Sequence, residues 1–187
     1  MLKLTKPYKT CQRWNVTQGF HEIHKAVDIG GKYGEDLVSP FNGKVVNITE
    51  DIPEQTIDLS KEDLRRGYGL TIQSIEDPDL YFMHWHTLPF FSVSEGETVR
   101  QGQPVCEMGN SGMVYQNGIY VEVDLRLIPP YRGTHTHCEL YKKNPDGTRT
   151  YLDYLQYIDW DLEIAKVMSC DPRLMVWEDR IIPLSIT

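Results

Sequence analysis

Several features that mark common protein classes are missing from this sequence of 187 residues. No apolar run approaches the roughly 20 residues of a membrane-spanning helix, so we expect no membrane insertion. Lys and Arg form no cluster and the formal net charge is −8, which argues against a nucleic-acid partner because phosphate binding needs clustered positive charge. The first residues carry positive charge but lack the apolar stretch and cleavage site of a signal peptide, so we expect no classical export signal.

Signatures of other hydrolases and of disulfide scaffolds are missing too. No G-x-S-x-G motif indicates a serine nucleophile, and no H-E-x-x-H motif indicates a helical zinc protease. The four cysteines are widely spaced and include no CxxC pair. We interpret them mainly as small buried apolar residues; they are Cys11, Cys106, Cys138 and Cys170.

The composition fits one ordinary globular domain, with 40% hydrophobic and 25% charged residues. We expect a single domain over 1–187, with a core at about 19–141 and a C-terminal helical extension at about 150–187. Between Val38 and Gly112, short β-branched or aromatic runs are cut by Gly, Pro, Asn and Asp, which is typical of antiparallel β structure. The predicted strands are Gly43–Ile48, Leu70–Ile75, Leu80–His86, Pro104–Met108 and His135–Tyr141.

Two helices are also predicted. The segment Thr56–Arg66 interrupts the strand pattern, and Ser60 can cap a short helix there, with acidic residues in its first turn. After a predicted turn at 145–147, apolar residues are spaced as on one face of a helix. These residues predict a C-terminal helix packed on the sheet; they are Tyr154, Leu155, Ile158, Leu162, Ala165 and Val167.

All six histidines fall into three close pairs, which are His21 with His24, His84 with His86, and His135 with His137. Residues i and i+2 of an extended strand point to the same face, so His135 and His137 would line one surface together with Glu139. Two imidazoles that close together repel each other when protonated. The pair therefore fits a neutral metal ligand beside a catalytic base.

A metal site needs donors from more than one segment. His24 and Asp28 stand four residues apart, just before Gly30 and Gly31, which allow a tight turn. Together with His137 they give two nitrogens and one oxygen, a catalytic zinc set whose fourth position is open to water. An HxxxD or an HxH motif alone is common without a metal, so the hypothesis depends on their joint occurrence.

An ordered series of motifs resembles the LytM and lysostaphin-type zinc endopeptidases, which cleave peptides of peptidoglycan. The series covers roughly Gly19 to Leu140 and ends in a segment that is similar to the family's GxHxHFE motif. Its segments are His24–Gly30, Val38–Val46, Gly67–Ile72, a histidine near an aromatic residue, Gly96–Gln103, Met108–Gly112 and Gly133–Glu139.

The resemblance implies a mainly β protein, with an antiparallel sheet of the LytM/lysostaphin (duplicated hybrid motif-like) type and an active-site groove. It implies that His24, Asp28 and His137 bind Zn²⁺, and that His135 acts on the water or the oxyanion. A further catalytic histidine is His86 or His84. His86 is favoured because His86-Thr-Leu88 resembles the family's H-L element, and both histidines would face the groove if their strand is regular.

Three further residues or segments are interpreted in the light of this resemblance. Glu139 is expected to orient a histidine through its other nitrogen, and His21 has no place in the series. The segment Met113–Arg132 is longer than the family's usual connection, and its Asn117-Gly118 pair predicts a hairpin turn. We expect this extra hairpin to wall the groove and select substrate.

The expected function is hydrolysis of peptide bonds in bacterial peptidoglycan by a zinc-dependent endopeptidase that uses a metal-activated water. We expect a monomer that acts outside the cytoplasm, at the cell wall or on a virion. Two alternatives stay open: a non-catalytic relative that binds peptidoglycan or activates a hydrolase, and a structural phage-tail component whose zinc braces the fold.

Overall fold

A computed structural model describes residues 3–7, 15–49 and 66–160. Twelve strands and two short helices lie in these ranges, and every strand pair is antiparallel. The helices are α1, Val123–Arg126, and a 3-10 helix, Tyr154–Tyr157. The strands are β1 Asn15–Gln18, β2 Val27–Gly30, β3 Asp36–Val38, β4 Gly43–Thr49, β5 Tyr68–Ser74, β6 Leu80–Phe91, β7 Thr98–Val99, β8 Pro104–Met108, β9 Tyr115–Gln116, β10 Ile119–Tyr120, β11 His135–Lys143 and β12 Arg149–Leu152.

Ten of the described strands form one sheet. Its main path runs β1-β2-β11-β6-β5-β4-β7, while β8 pairs with β3 and β6, and β12 pairs with β11. The remaining strands, β9 and β10, form a separate hairpin. The five predicted strands and the mainly β, antiparallel fold class are therefore confirmed.

At the central strands β6 and β11 the sheet has two distinct faces, one of which packs on the main hydrophobic core. Along β6, Leu80 and Phe82 belong to the main hydrophobic core, whereas Met83 and Trp85 pack on the opposite side. Side chains alternate between the two faces of a strand, so consecutive residues point to opposite faces of the sheet. On β11, Cys138 and Leu140 join the core, which leaves the odd-numbered residues of that strand for the second face.

A close backbone approach explains one glycine of the central sheet. A Cβ atom at Gly69 on β5 would lie 2.4 Å from the carbonyl oxygen of His84 on β6. No larger residue fits there without moving one strand away from the other. The Gly67–Ile72 motif is thus partly a packing requirement of the β5–β6 pair.

The C-terminal part differs from the predicted helix as far as the structure describes it. The predicted turn at 145–147 is present, but it leads into β12, which pairs with β11. Asp153 then caps the short 3-10 helix by accepting a hydrogen bond from the backbone N–H of Leu155, and Tyr154 is fully buried. Residues 161–187 of the predicted helix lie outside the described residues.

Other expectations also fall partly outside the described residues. The predicted helix Thr56–Arg66 lies there except for Arg66, as do Cys11 and Cys170. Cys106 and Cys138 are buried free thiols, which confirms their interpretation as small core residues. No helix in the described part of the chain is long and apolar enough to cross a membrane.

Candidate metal centre

The pairing of β2 with β11 brings Asp28 and His137 together. Asp28 stands directly opposite His137 in the register of the two strands. Because Val27 and Ile29 enter the core, Asp28 faces the other way, toward the odd-numbered residues of β11. His137 Nδ1 lies 2.8 Å from Asp28 Oδ1.

His24 reaches the same carboxylate from the turn before β2. Backbone hydrogen bonds in both directions between His21 and His24 close this turn. His24 Nδ1 lies 3.0 Å from the carbonyl oxygen of Gly19, and its Nε2 lies 3.3 Å from Asp28 Oδ1. A proton on Nδ1 that is donated to Gly19 leaves a lone pair on Nε2, which is the form a metal ligand needs.

The three donors fit a divalent cation such as zinc. One ligand atom from each of His24, Asp28 and His137 lies within 4.8 Å of the other two. Burial alone would raise the pKa of Asp28, but hydrogen bonds from His137 and His24 hold that pKa far below its usual value. Asp28 is therefore anionic, and two imidazoles with one carboxylate form a donor set suited to catalytic zinc.

Glu139 lies behind His137, as expected. Its Oε1 is 3.4 Å from His137 Nε2 and 3.1 Å from Arg66 Nη2. Despite the cost of burial, Asp28 and Glu139 together raise the pKa of His137 to about 9. Without metal the ring is therefore protonated on both nitrogens at pH 7, with Nε2–H toward Glu139 and Nδ1–H toward Asp28, and a metal bound at Nδ1 would replace that proton.

His135 and His86 form a second pair of rings beside the ligands, with centroids 4.7 Å apart. His135 Nδ1 lies 2.7 Å from the carbonyl oxygen of Gly133, and His86 Nδ1 lies 2.8 Å from that of Ser111. Burial lowers the pKa of both histidines, and for His86 the neighbouring His135 and His137 lower it further. Both rings are therefore neutral at pH 7, with the proton on Nδ1 and a lone pair on Nε2.

A bulge in β6 turns His86 toward the site. Trp85 pairs with Gly69 and Thr87 pairs with Tyr68, so His86 is an extra residue between these two pairs. Its φ is 61°, a left-handed value that is uncommon for residues other than glycine. Regular alternation would send His86 into the core; the bulge instead places its ring on the metal side.

The same geometry corrects the expectation for His84. The two histidines were expected to face the groove together, but His84 is fully buried on the core face of β6. Its Nδ1 lies 3.2 Å from Thr136 Oγ1 and its Nε2 lies 3.0 Å from the carbonyl oxygen of Val38. Burial lowers its pKa to about 4, so His84 is a neutral core residue whose two ring nitrogens both contact protein groups.

The Gly109–Gly112 loop supports both neutral histidines. The carbonyl of Gly109 accepts from the backbone N–H of His135 at 3.2 Å, while the carbonyl of Ser111 accepts from the ring of His86. Ser111 Oγ donates to the carbonyl of Thr87 at 2.7 Å and accepts from the N–H of Tyr68 at 2.9 Å. This loop therefore joins β5, β6 and β11 at the site.

The predicted hairpin in the Met113–Arg132 segment is confirmed. β9 and β10 are joined by Asn117 and Gly118, both with positive φ, as a tight hairpin turn requires. A Cβ atom on Gly133 would lie 2.7 Å from Val114 Cγ2 and 3.4 Å from Val121 Cγ2. The base of the hairpin thus packs against Gly133, whose carbonyl holds His135.

Two arginines of the site were missed by sequence reasoning. Arg66 contacts Glu139 and lies over the ring of Trp85, with its guanidinium carbon 5.4 Å from the ring centroid. Arg126 is buried against the Gly109–Gly112 loop. Neither stands in a motif, because only the folded chain brings them to the site.

Two imidazoles and a buried carboxylate, with two neutral histidines beside them, define the chain as a β protein with a candidate catalytic metal centre. Residues 22–145 match the model of Peptidase family M23, and the chain belongs to that family. The expected LytM/lysostaphin-type membership is thereby confirmed. No curated protein matches the chain.

Solved structures of low sequence identity share the fold. LytU aligns with a TM-score of 0.52 and 19% identity over 86% of either chain. The structure of the SpoIIQ-SpoIIIAH pore forming complex aligns with a TM-score of 0.56 and 19% identity, over 85% of this chain and 92% of that one. The antimicrobial peptidase lysostaphin from Staphylococcus simulans aligns with a TM-score of 0.54 and 14% identity, over 83% of this chain and 55% of that one.

Proposed function

We propose that this chain is a zinc-dependent endopeptidase that hydrolyses peptide bonds in bacterial peptidoglycan, with the metal held by His24, Asp28 and His137. The observation that carries the proposal is the approach of three ligand atoms to within 4.8 Å of one another beside two buried, neutral histidines. The substrate class follows the family and the fold shared with lysostaphin.

Zinc in such a site supplies Lewis-acid chemistry, polarising the scissile carbonyl and making water acidic enough to attack near neutral pH. His135 and His86 supply the proton transfer. Each holds its Nδ1 proton against a backbone carbonyl and therefore offers Nε2 as a base toward the attacking water. The ring that takes this proton can then donate it to the departing amine.

Only one of the two rings needs to carry the proton at a time. With ring centroids 4.7 Å apart, the first positive charge disfavours protonation of the second ring. His135 is the stronger candidate for the base, because its Nε2 lies 3.9 Å from Asp28 Oδ2 and so next to the proposed metal. His86 can stabilise charge that develops on the carbonyl oxygen only while its ring carries the proton, because the neutral ring presents a lone pair at Nε2.

The test is digestion of purified cell walls of known cross-link type with the zinc-loaded chain. We expect new amino termini in the mass spectrum, and we expect His137→Ala to release none. Chelated protein and an Ile75→Ser variant, changed at an exposed turn residue, are the negative and positive controls. Intact walls after treatment with folded, zinc-loaded protein would overturn the proposal.

A non-catalytic role is the second candidate, and the likeness to a chain of the SpoIIQ-SpoIIIAH pore forming complex favours it. The completeness of the ligand set counts against it. If the chain binds walls without cleaving them, and zinc changes only its stability, this second role replaces the first.

A further inference from the structure

We propose that Arg126 is a positioning residue for His86, so that the Met113–Arg132 segment contributes to the geometry of the site. This inference rests on the proposed function for the role of His86 in hydrolysis. The contacts between Arg126 and the Gly109–Gly112 loop are structural and stand apart from that role.

Arg126 and Asn110 hold each other by reciprocal hydrogen bonds. Arg126 is the last residue of α1 and is 5% exposed. Its Nη1 donates to the carbonyl oxygen of Asn110 at 3.1 Å and to that of Gly112. In return, Asn110 Nδ2 donates to the backbone carbonyls of Arg126 and Arg132, each at 3.0 Å.

The carbonyl between these two anchored carbonyls is the one that holds His86. Ser111 O lies 2.8 Å from His86 Nδ1, and its neighbours on either side are both held by Arg126. Peptide groups are planar, so fixing the carbonyls of Asn110 and Gly112 restricts rotation of the peptide between them. Arg126 therefore acts on His86 through the direction in which the Ser111 carbonyl points.

The backbone on both sides of this contact needs such support. Gly112 has a φ of 73°, and glycine populates many other conformations with little cost. His86 has a φ of 61°, which persists only where the surroundings hold it. Without Arg126, the loop would turn its carbonyl away and the ring of His86 would lose its fixed orientation.

Arginine suits this position better than lysine. Its planar guanidinium offers several N–H groups in a fixed arrangement, whereas a lysine presents one ammonium on a flexible chain. Arg126→Lys keeps the positive charge and an ammonium group that can donate hydrogen bonds. It would hold the carbonyls of Asn110 and Gly112 with a less rigid geometry. We therefore expect Lys to restore part of what Arg126→Met removes.

The first test compares the kinetics of Arg126→Met, Arg126→Lys and the control Arg100→Met, whose side chain is exposed in the β7–β8 turn. With zinc-loaded full chains, we expect kcat on cell walls to fall about 10- to 100-fold in Arg126→Met with KM nearly unchanged. Zinc affinity should stay the same, because the path from Arg126 leads through Ser111 to His86 and not to the three ligands.

A double-mutant cycle separates positioning from general loss of structure. If Arg126 acts through His86, Arg126→Met should cause no further loss of kcat in a His86→Ala background. Full, independent losses from the two substitutions would overturn the proposal.

A nuclear magnetic resonance measurement tests the positioning role of Arg126 without an activity assay. In ¹⁵N-histidine-labelled wild-type protein we expect His86 to show one tautomer, with its proton on Nδ1. In folded Arg126→Met we expect exchange between tautomers, and an unchanged His86 signal would overturn the proposal.

If wild type fails to hydrolyse walls, the proposed function fails while this readout still decides the role of Arg126. If Arg126→Met does not fold, Arg126→Lys carries the same comparison.

Discussion

At the residue scale, the histidines of this chain divide by the face of the sheet they occupy. His84 and His86 are two positions apart on one strand, yet the first is a neutral core residue and the second lies beside the ligand cluster. The difference comes from a single bulge residue with positive φ. A pair of histidines at i and i+2 therefore indicates a shared face only where the strand is regular.

The buried His84 should make stability depend on pH. The unfolded chain protonates His84 below its ordinary pKa of 6.5, whereas the folded chain keeps the ring neutral down to about pH 4. As pH falls from 6.5 to 4, the unfolded state binds more protons, so the free energy of unfolding should decrease by about 3 kcal/mol from this group. Denaturant unfolding at several pH values should show a flatter profile for His84→Gln; parallel profiles would contradict this account.

Glu139 should contribute to metal affinity without touching the metal. Removing its charge with Glu139→Gln weakens the contact that turns Nδ1 of His137 toward the ligand cluster. We expect about a tenfold loss of zinc affinity in a chelator competition assay. Glu76→Gln, an exposed residue in the β5–β6 turn, is the matched control. Equal zinc affinities in the two variants would show that Glu139 does not contribute to metal binding.

At the element scale, the sequence predicted the longer strands because each of them carries a recognisable run of β-branched or aromatic residues. β2 was missed as a strand, since its four residues include an aspartate and a glycine and offer no such run. It pairs with β11 through backbone hydrogen bonds that are independent of side-chain type. β12 was missed because the chain was expected to be helical from about residue 150, whereas Arg149–Leu152 pair with β11 as a strand.

The convergence of His24, Asp28 and His137 was predictable because these candidate donors stand in two short motifs of suitable chemistry. The supporting residues were not, since Arg66, Asn110 and Arg126 act through contacts made by segments that are distant in the chain. The Arg126 and Asn110 contacts join residues 16 positions apart, and no local pattern encodes them. Sequence reasoning therefore named the side chains that converge, but not the contacts that hold them in place.

The β9–β10 hairpin should affect substrate binding more than turnover. Tyr115 and Ile119 are 50% and 73% exposed on this hairpin, so they are available to a substrate. For the double variant Tyr115→Ser, Ile119→Ser we expect KM on cell walls to rise about fivefold, which corresponds to roughly 1 kcal/mol of lost apolar contact. We expect kcat and the melting temperature to stay unchanged. An unaltered KM would show that the hairpin does not contact substrate.

At the scale of the whole molecule, the candidate metal site lies outside the main hydrophobic core. That core packs residues from the central strands on the opposite face of β6 and β11, and it includes none of the three ligands. The fold is therefore expected to persist without metal. Zinc would add stability by binding only the folded chain.

Metal removal should separate activity from folding. After treatment with a chelator, we expect the far-ultraviolet circular dichroism to stay that of a β protein while hydrolysis of cell walls is lost. Zinc at about 100 times its dissociation constant should raise the free energy of unfolding by about 2.7 kcal/mol. Unfolding upon chelation would instead indicate a metal that braces the fold.

The rate at which the two core thiols react with a reagent should measure how often the sheet opens. Burial raises the pKa of both Cys106 and Cys138, so alkylating reagents, which attack the thiolate, react with them only after the surrounding strands separate. Cys138 directly follows the ligand His137 on β11. In a chain with Cys11 and Cys170 replaced by serine, zinc should therefore slow the labelling of Cys138. The labelling rate of a thiol on the core face would then report whether the metal site on the opposite face is occupied.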